Sequence, residues 1–165
     1  MSSSVTIRPI QPADNAALAT VIRDTLLEFG AAKPGTVYYD PTTDHLFELF
    51  QKPQSVYFVA LAADDSLLGG AGIYPTDGLG EGVCELVKVY LRPQVRGTGL
   101  GRRLIEQCLD WARDAGFRQV YLETLPELTQ AVPLYERMGF TYLPGPLGNS
   151  GHFDCTIWMT LDVAK

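Results

Sequence analysis

The chain has 165 residues, of which 46% are hydrophobic and 19% charged, and its formal net charge is −6. This composition predicts one soluble globular domain over residues 1–165 and argues against a nucleic-acid partner, because binding to phosphate backbones favours a basic surface. No apolar run approaches the roughly 18 residues of a membrane span, and the N-terminus lacks the pattern of a secretion signal. Three widely spaced cysteines form neither a disulfide nor a zinc pattern, so we expect a cytoplasmic protein without a metal or a membrane partner.

The first half of the chain predicts a strand, a helix, a loop, a short helix and three further strands. Apolar residues recur at helical spacing between Pro12 and Gly30, and this glycine is typical of a helix C-terminus. We expect Asp44 to cap the short helix. In chain order, the predicted elements are strand 5–10, helix 12–30, loop 31–43, short helix 44–50, and strands 55–63, 67–74 and 83–91.

The second half predicts helices that alternate with strands. The amphipathic pattern is strongest between Gly99 and Ala115, and Gly116 is suited to end that helix. The predicted elements are helix 99–115, strand 119–124, helix 130–138, and strands 140–143 and 153–161. The fold class is therefore α/β (α+β) with a mixed sheet.

Basic residues are concentrated in one segment of the chain. Residues 92–118 contain six arginines and three acidic residues, a net charge of +3, and the rest of the chain carries −9. We predict that this segment binds a small polyanion and that the acidic remainder attracts a cationic substrate. For Arg113 and Arg118 the pattern fits a solvated helix face with mixed charges better.

A basic, glycine-rich loop connects a predicted strand to the long helix. Glycine permits positive φ angles, and the first amides of a helix have no internal partner and lie at the positive end of its dipole. The loop therefore predicts an anion site. Its spacing matches neither a nucleoside-triphosphate loop nor a dinucleotide-binding loop. The residues expected to bind the anion are Arg96, Gly97, Thr98, Gly99, Leu100, Gly101 and Arg102.

Several segments together resemble the GNAT family of N-acetyltransferases. Residues 94–99 read Gln-x-x-Gly-x-Gly after a strand, and residues 134–140 read Leu-Tyr-Glu-x-x-Gly-Phe. The start of the chain at residues 7–14 is also similar, so that the resemblance spans about residues 5–161. It implies a central mixed, mostly antiparallel sheet flanked by helices on both faces. It also implies acetyl-CoA as the cosubstrate, with no metal.

The resemblance assigns the acetyl-CoA site. In the family, amides of the glycine loop hold the coenzyme A pyrophosphate, and the strand before the loop pairs with the pantetheine arm through main-chain groups. Val87, Val89 and Leu91 are the implied neighbours of the arm, although they suit a core strand equally well. Leu134 is implied to adjoin the coenzyme. Many members carry an asparagine seven residues before the tyrosine, and here Leu128 removes that contact.

Two residues are implied to take part in catalysis. A tyrosine at the position of Tyr135 lies near the coenzyme sulfur in the family, where it can protonate the leaving thiolate. Some members use a glutamate on the strand before the loop as a base, and Glu85 occupies a similar place, with Glu123 as a weaker candidate. The alternatives are a salt bridge of Glu85, for example with Lys88, and a buried aromatic role for Tyr135.

The acceptor is expected to be an amine, most simply of a small molecule. In the family the region after the first helix helps to form the acceptor pocket, which implies Tyr38, Tyr39 and Asp40. His45 and His152 are interpreted as surface residues. The sequence thus predicts an N-acetyltransferase that works by direct attack, as a monomer or homodimer. A non-catalytic acyl-CoA-binding module, a protein or peptide N-acetyltransferase and a nucleotide-binding protein remain alternatives.

Overall fold

The structure is a computed structural model that describes residues 4–127, 131–148 and 155–164. The strands in this part are β1 (Thr6–Pro9), β2 (Val56–Leu61), β3 (Leu67–Tyr74), β4 (Val83–Leu91), β5 (Gln119–Thr124), β6 (Thr141–Leu143) and β7 (Ile157–Asp162). The α-helices are α1 (Asn15–Glu28), α2 (Leu46–Leu49), α3 (Leu100–Asp114) and α4 (Ala131–Arg137). None of these helices combines the length and apolarity that crossing a bilayer would need.

The strands form one sheet in the order β1-β2-β3-β4-β5-β7-β6. Neighbouring strands are antiparallel except β4 and β5, which are parallel and lie in the middle of the sheet. The predicted mixed, mostly antiparallel sheet is therefore confirmed. A parallel pair needs a crossover connection, and α3 provides it.

Helices cover both faces of the sheet, as predicted. The continuous apolar sequence of β2 is explained by its position in the sheet, because its alternate side chains enter two different cores. Tyr57 and Val59 pack with α1 and α2, whereas Phe58 and Ala60 pack with α3. The buried stripe of α3 matches the predicted amphipathic face, and the helix lies between Gly99 and Gly116, which have φ angles of 88° and 96°.

The prediction that Asp44 caps the short helix is wrong. Its carboxylate accepts hydrogen bonds of 2.6 and 3.0 Å from Arg23 of α1. The residue before α2 is His45, which makes no side-chain capping bond, and the amide of Phe47 donates instead to the Asn15 side chain at 2.8 Å. This cap comes from a residue 32 positions away, so no local sequence pattern reveals it.

Other boundaries differ modestly from the prediction. The predicted loop 31–43 contains two 3₁₀ turns, Val37–Tyr39 and Pro41–Asp44. The predicted start of the last strand at position 153 lies outside the described residues, and within them that strand begins at Ile157. Pro133 lies in the first turn of α4, where a missing amide donor is tolerated.

A β-bulge interrupts β4 at Lys88. The pairing of β4 with β3 loses its regular register between Gly70 and Gly72, and Lys88 has a φ of 55°, in the left-handed region. That conformation costs a non-glycine residue about 1–2 kcal/mol. The hydroxyl of Tyr57 donates a 2.7 Å hydrogen bond to the Lys88 carbonyl, which helps to hold the bulge in place.

The glycines of β3 make room for the ring of Tyr57. A Cβ at Gly70 would stand 2.8 Å from the phenol oxygen, and a Cβ at Gly72 would stand 2.6 Å from a ring carbon. Tyr57 is only 1% exposed. The Gly-Gly-Ala-Gly run of β3 thus accommodates the side chain that fixes the bulge of β4.

Candidate functional site

The two central strands separate after Glu85. Strands β4 and β5 pair only where Val83–Glu85 lies beside Gln119–Tyr121, although both strands continue further. A cavity of about 70 Å³, which we call the central cleft, opens beyond this fork. Its lining includes residues 85–90 of β4, the end of β5, Ala131, Tyr135 and Cys155.

The β4 residues predicted to adjoin the pantetheine arm differ in their surroundings. Val87 and Val89 line the central cleft. Leu91 packs towards α3, and its carbonyl accepts hydrogen bonds of 3.1 and 3.3 Å from the Arg96 guanidinium. Because β4 does not pair with β5 beyond the fork, that edge is open to an extended ligand that bonds to main-chain groups.

The glycine-rich loop has the backbone geometry that its sequence predicts. Gly97 has a φ of 74° and Gly99 a φ of 88°, and a Cβ at either position would meet open space. Glycine is therefore required for conformation and not for room. Gly99 precedes α3 without any side-chain cap from the described residues, so that the first amides of the helix are available to a ligand. The Thr98 hydroxyl donates to the Val95 carbonyl and closes the loop.

The first turn of α3 carries an unusual charge. It contains the exposed Arg102 and Arg103 and no acidic residue. Helix N-termini normally favour acidic side chains, because the dipole is positive there. Arg102 has a weak, exposed ion pair with Glu106 at 3.4 Å. A bound polyanion would compensate both the arginines and the helix end, which fits the pyrophosphate of coenzyme A.

The remaining predicted coenzyme residues lie where α3 meets its neighbours. Gly101 is buried, and a Cβ there would stand 3.2 Å from Leu91 and 3.4 Å from Leu134. Leu100 is buried in the core on the α3 side. Since the Leu100 side chain is occupied with packing and Gly101 has none, only the main chain at these two positions can face an anion.

The side chain of Arg96 is directed into the protein. Its guanidinium donates to the Glu28 carboxylate at 2.6 Å and lies 5.1 Å from the centre of the Phe29 ring. The hydrogen bond from Arg96 lowers the pKa of Glu28. Together with the bonds to the Leu91 carbonyl, these contacts join the glycine loop to the end of α1.

Tyr135, the predicted proton donor, lies at the central cleft. It lines the central cleft, is 6% exposed and packs edge-on against Phe140 with ring centres 5.8 Å apart. Burial raises its pKa, which keeps the phenol protonated and able to donate. The edge-on packing against Phe140 fits the alternative of a buried aromatic role equally well.

Glu85 occupies the fork itself. It is the last β4 residue paired with β5, is 4% exposed and lines the central cleft. The Thr76 hydroxyl donates to its carboxylate at 2.5 Å. Glu123 also lines the cleft, and its carboxylate accepts a 2.6 Å bond from the Tyr121 hydroxyl. The cleft thus brings two carboxylates and the Tyr135 phenol together.

A second cavity, which we call the side cleft, lies between β4 and the segment 40–52. It holds about 200 Å³ and shares Glu85, Val87 and Lys88 with the central cleft. Asp40 lines it, and the Asp40 carboxylate accepts bonds from the Thr42 amide and hydroxyl.

The other residues considered as acceptor contacts lie elsewhere or outside the description. The Tyr38 ring packs beneath Arg23, and Tyr39 is 61% exposed; neither lines a described cleft. His45 is exposed, as predicted. His152 and Leu128 lie outside the described residues. Within the described part of the chain, no cluster of His, Cys, Asp and Glu is arranged to hold a metal.

Sequence reasoning did not identify Tyr57 as the residue that holds the bulge beside the clefts, and it considered Lys88 only as a partner for Glu85. For Tyr57 the sequence does contain a signal, which is the glycine run of β3. Such a run is unusual for a central strand and indicates that a bulky group packs closely against it. No local signal predicts the left-handed backbone of Lys88, because lysine, like other non-glycine residues, rarely adopts a positive φ.

Comparisons with known proteins agree with this geometry. The sequence model of the acetyltransferase (GNAT) family matches residues 21–140. The uncharacterized N-acetyltransferase YjgM of Escherichia coli is 38% identical over 157 residues, which cover 94% of this chain and 93% of that protein. The aminoglycoside N(6')-acetyltransferase type 1 of Stenotrophomonas maltophilia is 30% identical over 145 residues, 85% of this chain and 88% of that protein.

A solved structure extends the agreement to the fold. The GNAT-family acetyltransferase of Staphylococcus aureus superposes with a TM-score of 0.86 at 14% identity, over 97% of this chain and 99% of that one. The same family is indicated by the family match, by the related sequences and by the fork beside a glycine loop. The chain belongs to the acetyltransferase (GNAT) family and is an acetyl-CoA-dependent acyltransferase.

Proposed function

We propose that this enzyme transfers the acetyl group of acetyl-CoA to the amine of a small molecule by direct attack. The observation that carries the proposal is that Glu85 and Tyr135 line the same cleft at the point where β4 and β5 separate. Glu85 can take a proton from the incoming amine, and Tyr135 can give a proton to the leaving sulfur.

The glycine loop holds the pyrophosphate in this proposal. Main-chain amides of Gly97–Gly101 and the exposed Arg102 bind the phosphates, and the open edge of β4 at Val87 and Val89 takes the pantetheine arm. The arm then leads the thioester into the central cleft. Arg96 acts indirectly, because its contacts with Glu28 and the Leu91 carbonyl fix the base of the loop.

The chemical step is an acyl transfer in which protons and electrons balance. The neutral nitrogen attacks the thioester carbon, and the main-chain amide of Val89 stabilises the oxyanion. The C–S bond breaks as the carbonyl re-forms, and the thiolate receives a proton from Tyr135. Before the attack, Glu85 takes the first proton from the bound ammonium, with Glu123 as the second candidate. After the attack, the second proton lost by the nitrogen returns to the Tyr135 phenolate.

Three observations support a small-molecule acceptor. The side cleft of about 200 Å³ is below the size of about 300–1,000 Å³ that is usual for drug-sized ligands. One 30% identical relative is named for aminoglycosides, which are small amines. The negative charge of the chain outside residues 92–118 would attract a cationic amine. The enzyme is proposed to act in the cytoplasm as a monomer or homodimer.

The Tyr135→Phe variant tests the proposal against a non-catalytic role. We expect turnover with a panel of amines to fall about 100-fold or more, while calorimetry gives unchanged coenzyme A affinity. Val132→Ala in the same helix is the control and should retain turnover. Equal turnover of Tyr135→Phe and wild type would contradict the assigned role, and tighter binding of ATP or NAD than of coenzyme A would overturn the donor site.

A further inference from the structure

Lys88 places a positive charge where the acceptor must enter. It lines both clefts, together with Glu85 and Val87. The bulge is responsible, because a regular strand would alternate side chains between the two faces, and the left-handed φ of 55° breaks that alternation. The ammonium therefore lies near Asp40 and Glu85, whose charges act on it.

This ammonium is poorly compensated by the protein. Lys88 is half-buried and forms neither a salt bridge nor a side-chain hydrogen bond with any residue in the described part of the chain. Burial lowers its pKa, and the attraction of Asp40 and Glu85 only opposes that effect. A partly desolvated cation is stabilised by an anion that reaches it.

The second lysine of the side cleft is already engaged. The Lys52 ammonium lies 5.3 Å from the centre of the Tyr74 ring, within the range of a cation–π contact. Arg23 and Lys33, on neighbouring segments, have carboxylate partners in Asp44 and Glu127. Lys88 is thus the cation best placed to bind part of a ligand.

We infer that the acceptor is an amino carboxylic acid, whose carboxylate binds the Lys88 ammonium while its amine enters the fork beside Glu85. The mixed charge of the side cleft fits such a zwitterion, because its lining includes Lys52, Lys88, Asp40, Asp77 and Glu85. A simple polyamine would bring a second positive charge towards Lys88. The inference rests on the proposed acetyl transfer and narrows its substrate class.

Matched acceptor pairs that differ only in a carboxylate test this inference. We would measure kcat/KM with acetyl-CoA for phenylalanine against phenethylamine, methionine against 3-(methylthio)propylamine, and lysine against 1,5-diaminopentane. The acid of each pair should be preferred, and Lys88→Met should reduce that preference about ten- to a hundredfold, mainly through KM. Lys52→Met, which removes the same charge from the same cleft, should reduce it much less.

The outcomes separate the two proposals. Acetylation of both members of each pair with equal efficiency would overturn the amino-acid inference and leave acetyl transfer intact. An equal loss for both members in Lys88→Met would also overturn it, since Lys88 would then act on the chemistry or on the bulge. Failure of every amine, together with normal coenzyme A binding, would overturn the proposed function itself.

Discussion

The phenol oxygen of Tyr57 donates a 2.7 Å hydrogen bond to the main-chain carbonyl of Lys88. That carbonyl belongs to the same planar peptide as the amide of Val89, the proposed oxyanion donor. In a trans peptide the two groups point in opposite directions, so a bond to the carbonyl fixes the direction of the amide. It also polarises the peptide and strengthens the amide as a donor. We therefore propose that Tyr57 positions the Val89 amide for the reaction.

Removing this hydroxyl should affect catalysis more than coenzyme binding. We expect Tyr57→Phe to lower kcat about tenfold or more, because the Val89 amide loses its orientation, while the coenzyme A affinity stays unchanged. The unpaired Lys88 carbonyl should cost about 1–3 kcal/mol of unfolding free energy. Steady-state kinetics, calorimetry and denaturant unfolding measure the three quantities.

The control for this variant is Tyr142→Phe, because that exposed hydroxyl bonds only to Glu136 among the described residues. It should leave kcat and stability near wild type. A Tyr57→Phe enzyme that loses stability but keeps its kcat would show that the bond serves folding alone.

The backbone of the glycine loop can be tested with two glycines of similar geometry. Gly99 and Gly30 have φ angles of 88° and 70°, and a Cβ at either would meet open space. Alanine at each position should therefore cost about 1–2 kcal/mol of stability through backbone strain alone. Only Gly99→Ala should also weaken coenzyme A binding, by about tenfold, because only Gly99 shapes the amides that face the phosphates.

Thermal unfolding and calorimetry compare the two variants. Equal coenzyme A affinity in Gly30→Ala and Gly99→Ala would contradict a pyrophosphate site at the start of α3. A loss of affinity in both would instead point to a general effect of stability on the loop.

The two arginines of the loop region should separate in their effects. Arg96→Met leaves the Leu91 carbonyl without its donor, which should cost about 1–3 kcal/mol of stability, before any contribution from Glu28 or Phe29. Arg102→Met removes an exposed side chain and should change stability by no more than about 0.5 kcal/mol, yet weaken coenzyme A binding in a salt-dependent way.

Denaturant unfolding and coenzyme titrations at two salt concentrations measure both effects. Arg103→Met is the control for Arg102→Met, because it removes the same charge from the same end of the helix. If Arg96→Met proved as stable as wild type, its inward contacts would contribute nothing to the fold.

Local signals account for what could be predicted from the sequence. Gly30, Gly99 and Gly116 end or begin helices because their backbone preferences act within a few residues, and the stripe of α3 follows from helical periodicity. The resemblance to the family predicted the mostly antiparallel sheet, the coenzyme A role of the glycine loop and the catalytic role of Tyr135.

Long-range contacts account for what could not be predicted. Asp44 was expected to cap α2, but its partner Arg23 lies 21 positions away, and Arg96 meets Glu28 across 68 positions. The bulge at Lys88 depends on Tyr57 of another strand and on the glycines beneath that ring. Periodicity carries no information on such pairs, because each depends on how separate elements pack.

The identity of the base is decided by a pH profile of two matched variants. In the wild type, Glu85 can take the proton of a bound ammonium, so kcat/KM should level off below the pKa of the acceptor amine. In Glu85→Gln the amine must arrive neutral, so kcat/KM near pH 7 should be about 100-fold lower and should keep rising with pH until the amine itself has lost its proton. Glu123→Gln, in the same cleft, should retain the wild-type profile. An equal loss at every pH in Glu85→Gln would assign Glu85 to positioning, and a profile that changes only in Glu123→Gln would make Glu123 the base.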